Sequence, residues 1–196
     1  MRYIFLTIVL FSTFFLIDAQ NLQAQKSSAS YTIYLPSIQK PSDASTVDIP
    51  ENIQFVLDEI NRIRTQSTAS AAGCPILTIS PELQQAATKH SRNMAEANFF
   101  QHRDPNGNEV YERVLAEGYN PKVVGENIAA GYDTAEEVVA AWMASPSHRA
   151  NILDCSYTET GIGFFYQDND QNDVLRSNGQ VSGPYFSYWT QVFASR

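Results

Sequence analysis

The sequence predicts an α+β layered fold. Helix-period apolar stripes fill the chain from about residue 51, strand-like runs come mostly at the end, and the two kinds do not alternate as βαβ units would. Helices should therefore pack on a sheet built largely from the C-terminal third.

Each element has its own signals. Near Glu51 a first helix begins, with Ile53, Val56, Leu57, Ile60 and Ile63 on one face and Glu59, Arg62 and Arg64 mostly opposite. Ser80 is an N-cap and Pro81 a first-turn residue for a second helix, whose stripe runs through Leu83, Ala86, Ala87, His90, Met94 and Ala97. A shorter third helix spans Glu109 to Glu117 and stops at Gly118. Thr134 and Glu137 fit a capping box for a fourth helix through Val138, Val139, Trp142 and Met143. Pro146 ends it, and His148 to Leu153 adds one or two turns. Strands are expected over Lys122 to Ala129, Thr160 to Gln167 and Tyr185 to Phe193. The last two should form an antiparallel hairpin closed by a long polar loop, Asp168 to Pro184.

The chain opens as a secretory signal. Arg2 is followed by an apolar run from Ile4 to Ile17, so residues 1–19 read as a signal peptide cleaved after Ala19 or Ala24. The run is shorter than the ~20 residues of a bilayer span, and no stable membrane span is expected after cleavage. Residues 20–50 form a leader. Tyr31 to Leu35 has strand-like composition there, but Pro36 and Pro41 mark a linker. The domain proper is residues 51–196, long enough for a substantial core.

A formal net charge of −8, with scattered basic residues, argues against a nucleic-acid partner and against attraction to anionic lipid surfaces. Cys74 and Cys155 are the two cysteines. In an oxidising compartment they most simply pair, closing a loop of roughly 80 residues and stabilising the fold by on the order of 4 kcal/mol in the chain-entropy account. A catalytic thiol is the alternative, but neither cysteine has a basic residue or histidine nearby in sequence to activate it. An exported monomer is expected.

Three residues stand out for chemistry. His102 follows Phe99-Phe100-Gln101 and precedes the turn formers Asp104-Pro105-Asn106-Gly107, placing it where a regular element gives way to a loop. Glu126 lies among Val123, Val124 and Ile128, too apolar a setting for a solvated acid, and a histidine is a natural partner for it. His148 starts a helical turn after Ser145-Pro146-Ser147 and has the imidazole needed to take a proton or bind zinc. His90 sits on an apolar helical stripe and is read as a satisfied core residue. Asp168, Asp170 and Asn172 resemble the start of a calcium loop, but Asp173 and Gly179 occupy the positions of its glycine and bidentate glutamate, so a solvated loop is the better reading. The chain has no Gly-x-Ser-x-Gly elbow, His-Glu-x-x-His pair or phosphate-binding glycine loop. Ser145 is near His148 in sequence, with nothing to suggest that its hydroxyl reaches the ring.

Together, His90-Ser91…Met94-Ala95, Phe100-Gln101-His102, Gly125-Glu126-Asn127-Ile128-Ala129, Trp142 through Leu153, Gly161-Ile162-Gly163 and Tyr188-Trp189-Thr190-Gln191 resemble the bacterial branch of the CAP superfamily, the SCP domain, over about Ile53 to Phe193. The resemblance implies a three-layer α-β-α sandwich with a central antiparallel sheet. It also implies a cleft lined by His102, Glu126, Ser145 and His148, with His102 and His148 as ligands of a divalent metal such as Zn2+. Animal and plant members carry a second glutamate three residues beyond the tryptophan. Here Ser145 stands there, so the full set of four is not present.

Three functions follow in order of support. The first is a secreted module that binds a lipid, sterol or cell-surface ligand. The second is a structural extracellular protein. The third is a metal-assisted hydrolase or peptidase with His102, Glu126 and His148 as catalytic residues.

Overall fold

Residues 49–66 and 73–196 are described in a computed structural model, and all of them fall in one compact unit, Ser45–Arg196. The expected signal peptide and most of the leader, residues 1–48, lie outside the described residues. The described elements are α1 (Glu51–Gln66), β1 (Thr78–Ile79), α2 (Pro81–Glu96), β2 (Phe99–Phe100), α3 (Val110–Ala116), β3 (Val123–Ala130), α4 (Ala135–Ala144), α5 (Pro146–Ile152), β4 (Glu159–Tyr166), β5 (Val174–Arg176), β6 (Val181–Ser182) and β7 (Ser187–Ser195). None of these helices is long and apolar enough to cross a membrane.

The main sheet has the order β1-β4-β7-β3. Strands β4 and β7 form the expected antiparallel hairpin, and β3 joins the far side of β7, also antiparallel. Only the two-residue β1 departs, lying parallel to β4 at the sheet edge. Alternation along the strands sorts side chains between two helical layers. Trp189 and Phe193 of β7 face a core with Val56 and Ile60 of α1, Val138 and Trp142 of α4, and Ile152 of α5. Val192 and Ala194 face the other way, against Leu83, Ala86 and Ala87 of α2 and Val114 of α3. The result is the α-β-α sandwich that the sequence suggested.

Local signals explain the boundaries. The Ser80 hydroxyl accepts from the Leu83 N–H, and Thr134 and Glu137 close a reciprocal capping box. Ser145 ends α4 and begins α5, with Pro146 in its first turn. The contact between α2 and β4 is unusual. A Cβ on Gly161 would collide with the backbone of Leu83 and Gln84, and one on Gly163 with the backbone of Ala87 and Thr88. Helix and strand therefore meet peptide plane to peptide plane. Between the glycines, Ile162 donates its N–H to Gln84 Oε1 at 3.0 Å and accepts at its carbonyl from Gln84 Nε2.

Three expectations need correction. Arg64 is fully buried, not on the solvent face. It falls on the Ile53-Val56-Leu57-Ile60 stripe and donates to the carbonyls of Pro75, Ile152, Asp154 and Tyr157 at 2.7–3.1 Å. The segment from Asp168 to Pro184 is not simply a solvated loop, since β5 and β6 join β2 in a second, three-stranded sheet. Finally, β7 starts at Ser187 and not at Tyr185, because the buried Asp170 carboxylate takes the N–H groups of Tyr185 and Phe186 at 2.6 and 2.9 Å. Asp170 also accepts from the Tyr188 hydroxyl at 2.9 Å, so it organises the turn and is not a free cation ligand.

The disulfide between Cys74 and Cys155 is present, spanning 81 residues with the Cα atoms 4.9 Å apart. It ties the approach to β1 to the stretch between α5 and β4, beside the carbonyls that Arg64 gathers.

Candidate functional site

Glu126 is the centre of the site. Its place on β3 turns it toward the α2–α3 layer, and its side chain is only 2% exposed. A buried carboxylate needs charged or hydrogen-bonding partners. Glu126 has both: His102 Nδ1 lies 2.8 Å from Oε1, and Arg113 of α3 donates to Oε2 at 2.5 Å. Burial would raise the Glu126 pKa, but the His102 hydrogen bond and the neighbouring positive charge more than offset it, and the net direction is downward. The carboxylate is held ionised.

Arg113 is the residue that sequence reading missed. Besides Glu126 it donates to the carbonyls of His102 (2.7 Å) and Asn108 (3.0 Å), so it fixes the loop that carries His102 as well as the acid that orients it. A signal was available. Arg113 lies three residues after Val110 and next to Val114, on the inward side of a short helix where a charge needs a reason.

His102 is half exposed (51% for the side chain). With Nδ1 turned to Glu126, its Nε2 is left for a ligand or a proton. His90 also comes close, with Nε2 4.0 Å from Glu126 Oε1. Its bond is to the Gln101 carbonyl at 3.1 Å. A carbonyl only accepts, so Nε2 carries a proton. Burial lowers the His90 pKa to about 4, although Glu126 pulls the other way. The core placement of His90 agrees with the sequence reading, but the ring is not fully satisfied, because its buried Nδ1 has no hydrogen-bond partner among the described residues; it also forms a wall of the Glu126 pocket.

His148 stands in the other helical layer, at the start of α5. No hydrogen bond joins its ring to Glu126 among the described residues. The two are linked through backbone, since Asn127 Nδ2 donates to the His148 carbonyl at 3.1 Å and Asn151 Nδ2 to the Glu126 carbonyl at 3.1 Å. Burial lowers the His148 pKa, and the His102 charge lowers it further. Ser145 Oγ is 3.3 Å from Ser147 Oγ, and no hydrogen bond joins it to the His148 ring among the described residues.

The cleft beside these residues has a volume of about 300 Å³. It runs along Ile128, Ala129 and Ala130 of β3, with Trp142, Ser145 and His148 on one side and Phe100, Tyr185 and Arg176 on the other. Of the residues expected to line the cleft, Ser145 and His148 do, while His102 and Glu126 are not among its lining residues. Glu126 is closed by His102 and Arg113, and among the described residues no three His, Cys, Asp or Glu side chains gather around a metal position. The donor set falls short of a three-ligand catalytic centre.

The neutral His90 makes stability depend on pH. Below its ordinary pKa of 6.5 the unfolded chain takes up a proton that the folded one refuses until about pH 4. Stability should therefore be full above pH 6.5 and fall by roughly 2 kcal/mol between pH 6.5 and 5. Glu126, with its lowered pKa, adds a loss of the same sign only nearer and below its ordinary 4.5. Urea unfolding at both pH values should show the drop, and His90→Gln should flatten it. An unchanged slope in that variant would assign the acid sensitivity elsewhere.

Comparison with known proteins places the sequence and the fold among known relatives. The sequence model of the cysteine-rich secretory protein family, CAP, matches residues 57–193. An uncharacterised Bacillus subtilis protein, YkwD, is 37% identical over 120 residues, 61% of this chain and 46% of its own length. An uncharacterised B. subtilis membrane protein, YlbC, is 31% identical over 122 residues, 62% of this chain and 34% of its own. The chain thus matches less than half the length of either relative. Among solved structures, an extracellular SCP-domain protein of Bacillus anthracis superposes with a TM-score of 0.58 at 25% identity, covering 74% of this chain and 40% of that one. An outer surface protein of Borrelia burgdorferi gives 0.56 at 19% identity, covering 76% and 96%, and shares the fold.

Proposed function

The chain belongs to the cysteine-rich secretory protein (CAP) family, and from that premise we propose that it is an extracellular binding module whose cleft beside His102, Glu126 and His148 takes up a lipid, sterol or cell-surface ligand. The cleft itself carries the reading. It is walled by Phe100, Ile128, Tyr132, Trp142 and Tyr185, with Ser145, His148 and Arg176 as its polar side chains. Apolar walls with a few fixed polar groups are the composition of a small-molecule site, and about 300 Å³ lies at the small end of that range. Within the cleft, the Ser145 hydroxyl turns to Ser147, and both cysteines of the chain are in the disulfide.

Protein purified under mild conditions should release a bound small molecule on organic extraction, or bind one in a broad lipid and sterol screen. Trp142→Ala, which opens the cleft wall, should weaken binding about tenfold or more. A protein that carries nothing and binds nothing would remove this reading.

One observation favours a second reading, a hydrolase. The Glu126–His102 pair is the arrangement that fixes an imidazole tautomer for proton transfer, and the outer His102 nitrogen is open. Zinc on His102 and His148 is the metal-assisted form of the same idea. A calorimetric zinc titration near pH 7.5, run beside His102→Ala, separates the cases. Saturable one-to-one binding lost in the variant would support the metal site, and no heat would leave a metal-free pair.

A further inference from the structure

The cleft runs along a sheet edge, and that edge still has backbone groups to offer. In the antiparallel ladder with β7, Gly131 donates its N–H to the Ser187 carbonyl at 2.9 Å. Residues in step with it, Ala129, Asn127 and Gly125, therefore turn their backbone toward β7, and Glu126, Ile128 and Ala130 turn theirs outward. Two side chains confirm the direction. Asn151 caps the Glu126 carbonyl at 3.1 Å, and Trp142 Nε1 caps the Ile128 carbonyl at 3.3 Å. Past that point the capping stops. Among the described residues, no partner meets the Ile128 N–H or the Ala130 N–H and carbonyl, and both residues line the cleft.

We propose that this cleft binds an extended peptide segment of another protein, added as a strand along β3 at Ile128–Ala130, with a peptide carboxylate directed to Arg176. The proposal rests on the reading of the cleft as the binding site and narrows its ligand. Two donors and one acceptor spaced along an edge match the repeat of a peptide backbone. A hydrocarbon chain would leave all three unpaired, and a sterol hydroxyl would satisfy one at most, a penalty for every group buried without a partner. Alternate peptide side chains would fall toward Phe100 and Tyr185 on one side and Ala141 and Trp142 on the other. Arg176 supplies the charge preference. It lines the cleft and makes no ion pair among the described residues, in a chain whose net charge is −8.

The test uses the whole secreted chain and a pooled library of random octapeptides with free C-termini, selected on the immobilised protein. Selected peptides should slow amide hydrogen exchange at Ile128 and Ala130 by about tenfold or more. They should lose binding when alternate backbone nitrogens are methylated, a change made in the peptide that leaves the protein's fold untouched. Arg176→Gln should weaken a carboxylate-bearing peptide about tenfold and its amidated, neutral counterpart little. The proposal fails if methylated peptides bind as well as their parents, or if no peptide is selected while a single-chain fatty acid or a sterol binds; the cleft reading would then survive without it. If neither peptides nor lipids bind, both readings fall together.

Discussion

Arg64→Met should unfold this domain more readily than any surface substitution, with a loss of about 3–5 kcal/mol. The reasoning starts from burial. Arg64 has no exposed surface, and its guanidinium serves the carbonyls of Pro75, Ile152, Asp154 and Tyr157. Methionine fills much of the volume but donates nothing, so four carbonyls lose a donor at once, and among the described residues only Asp154 keeps another, the Tyr157 N–H. Lysine keeps the charge but has a single nitrogen, which cannot span acceptors arranged for a planar fork. Arg62 is the control. It pairs with Glu59 on the same helix, its side chain is 53% exposed, and Arg62→Ala should leave the unfolding midpoint close to the parent's. Guanidinium unfolding at pH 7 checks both, and for a domain of this size the Arg64 loss corresponds to about 6–20 °C in Tm. An Arg64→Met protein within 1 kcal/mol of the parent would mean that water replaces the guanidinium at little cost.

Gly161→Ala and Gly163→Ala should be nearly as damaging. An added methyl is usually a small change, but here it would lie inside the backbone of Leu83, Gln84, Ala87 and Thr88. Backbone cannot swing aside as a side chain can, so α2 must lift off β4. That separation would pull Gln84 from Ile162 and draw Leu83 and Ala87 out of their contacts with Val192 and Ala194. Overpacking usually costs about 1–3 kcal/mol, and this case should reach or exceed the upper end because a whole helix moves. Gly179→Ala separates crowding from conformation. Its φ is +78° but nothing lies within 4 Å, so it should lose only about 1 kcal/mol. Denaturant midpoints for the three variants give the comparison; losses at Gly161 and Gly163 no larger than at Gly179 would show that the crowding is relieved without lifting the helix.

Much of the architecture was legible because local chemistry and tertiary structure agree. Ser80-Pro81 and Thr134…Glu137 cap α2 and α4 as their residue types require. The runs around Gly161 and Trp189 become the central hairpin of the sheet. Legibility fails where a residue's partner is remote. Arg64 looked solvated because nothing nearby in sequence needs a donor; its acceptors lie as far as 93 residues away. The second sheet was missed because β2, β5 and β6 are two or three residues each, held by pairing to distant chain and not by any internal pattern. At the site, the apolar surroundings of Glu126 correctly called for a histidine, and His102 fills that place. Arg113 escaped because the need for a second counter-charge appears only once burial is known.

The fastening around Arg64 also bears on the order in which the molecule assembles and comes apart. Its acceptors belong to two stretches, Pro75 on one side and Ile152 to Tyr157 on the other, that are brought together only when some eighty residues between them have closed. Until both arrive, the guanidinium is better left in water, so the joint should contribute little to the rate-limiting encounter, and Arg64→Met is expected to speed unfolding more than it slows folding. Its work is then to lengthen the life of the finished molecule and not to hasten its formation, and the disulfide beside it closes the same door a second time.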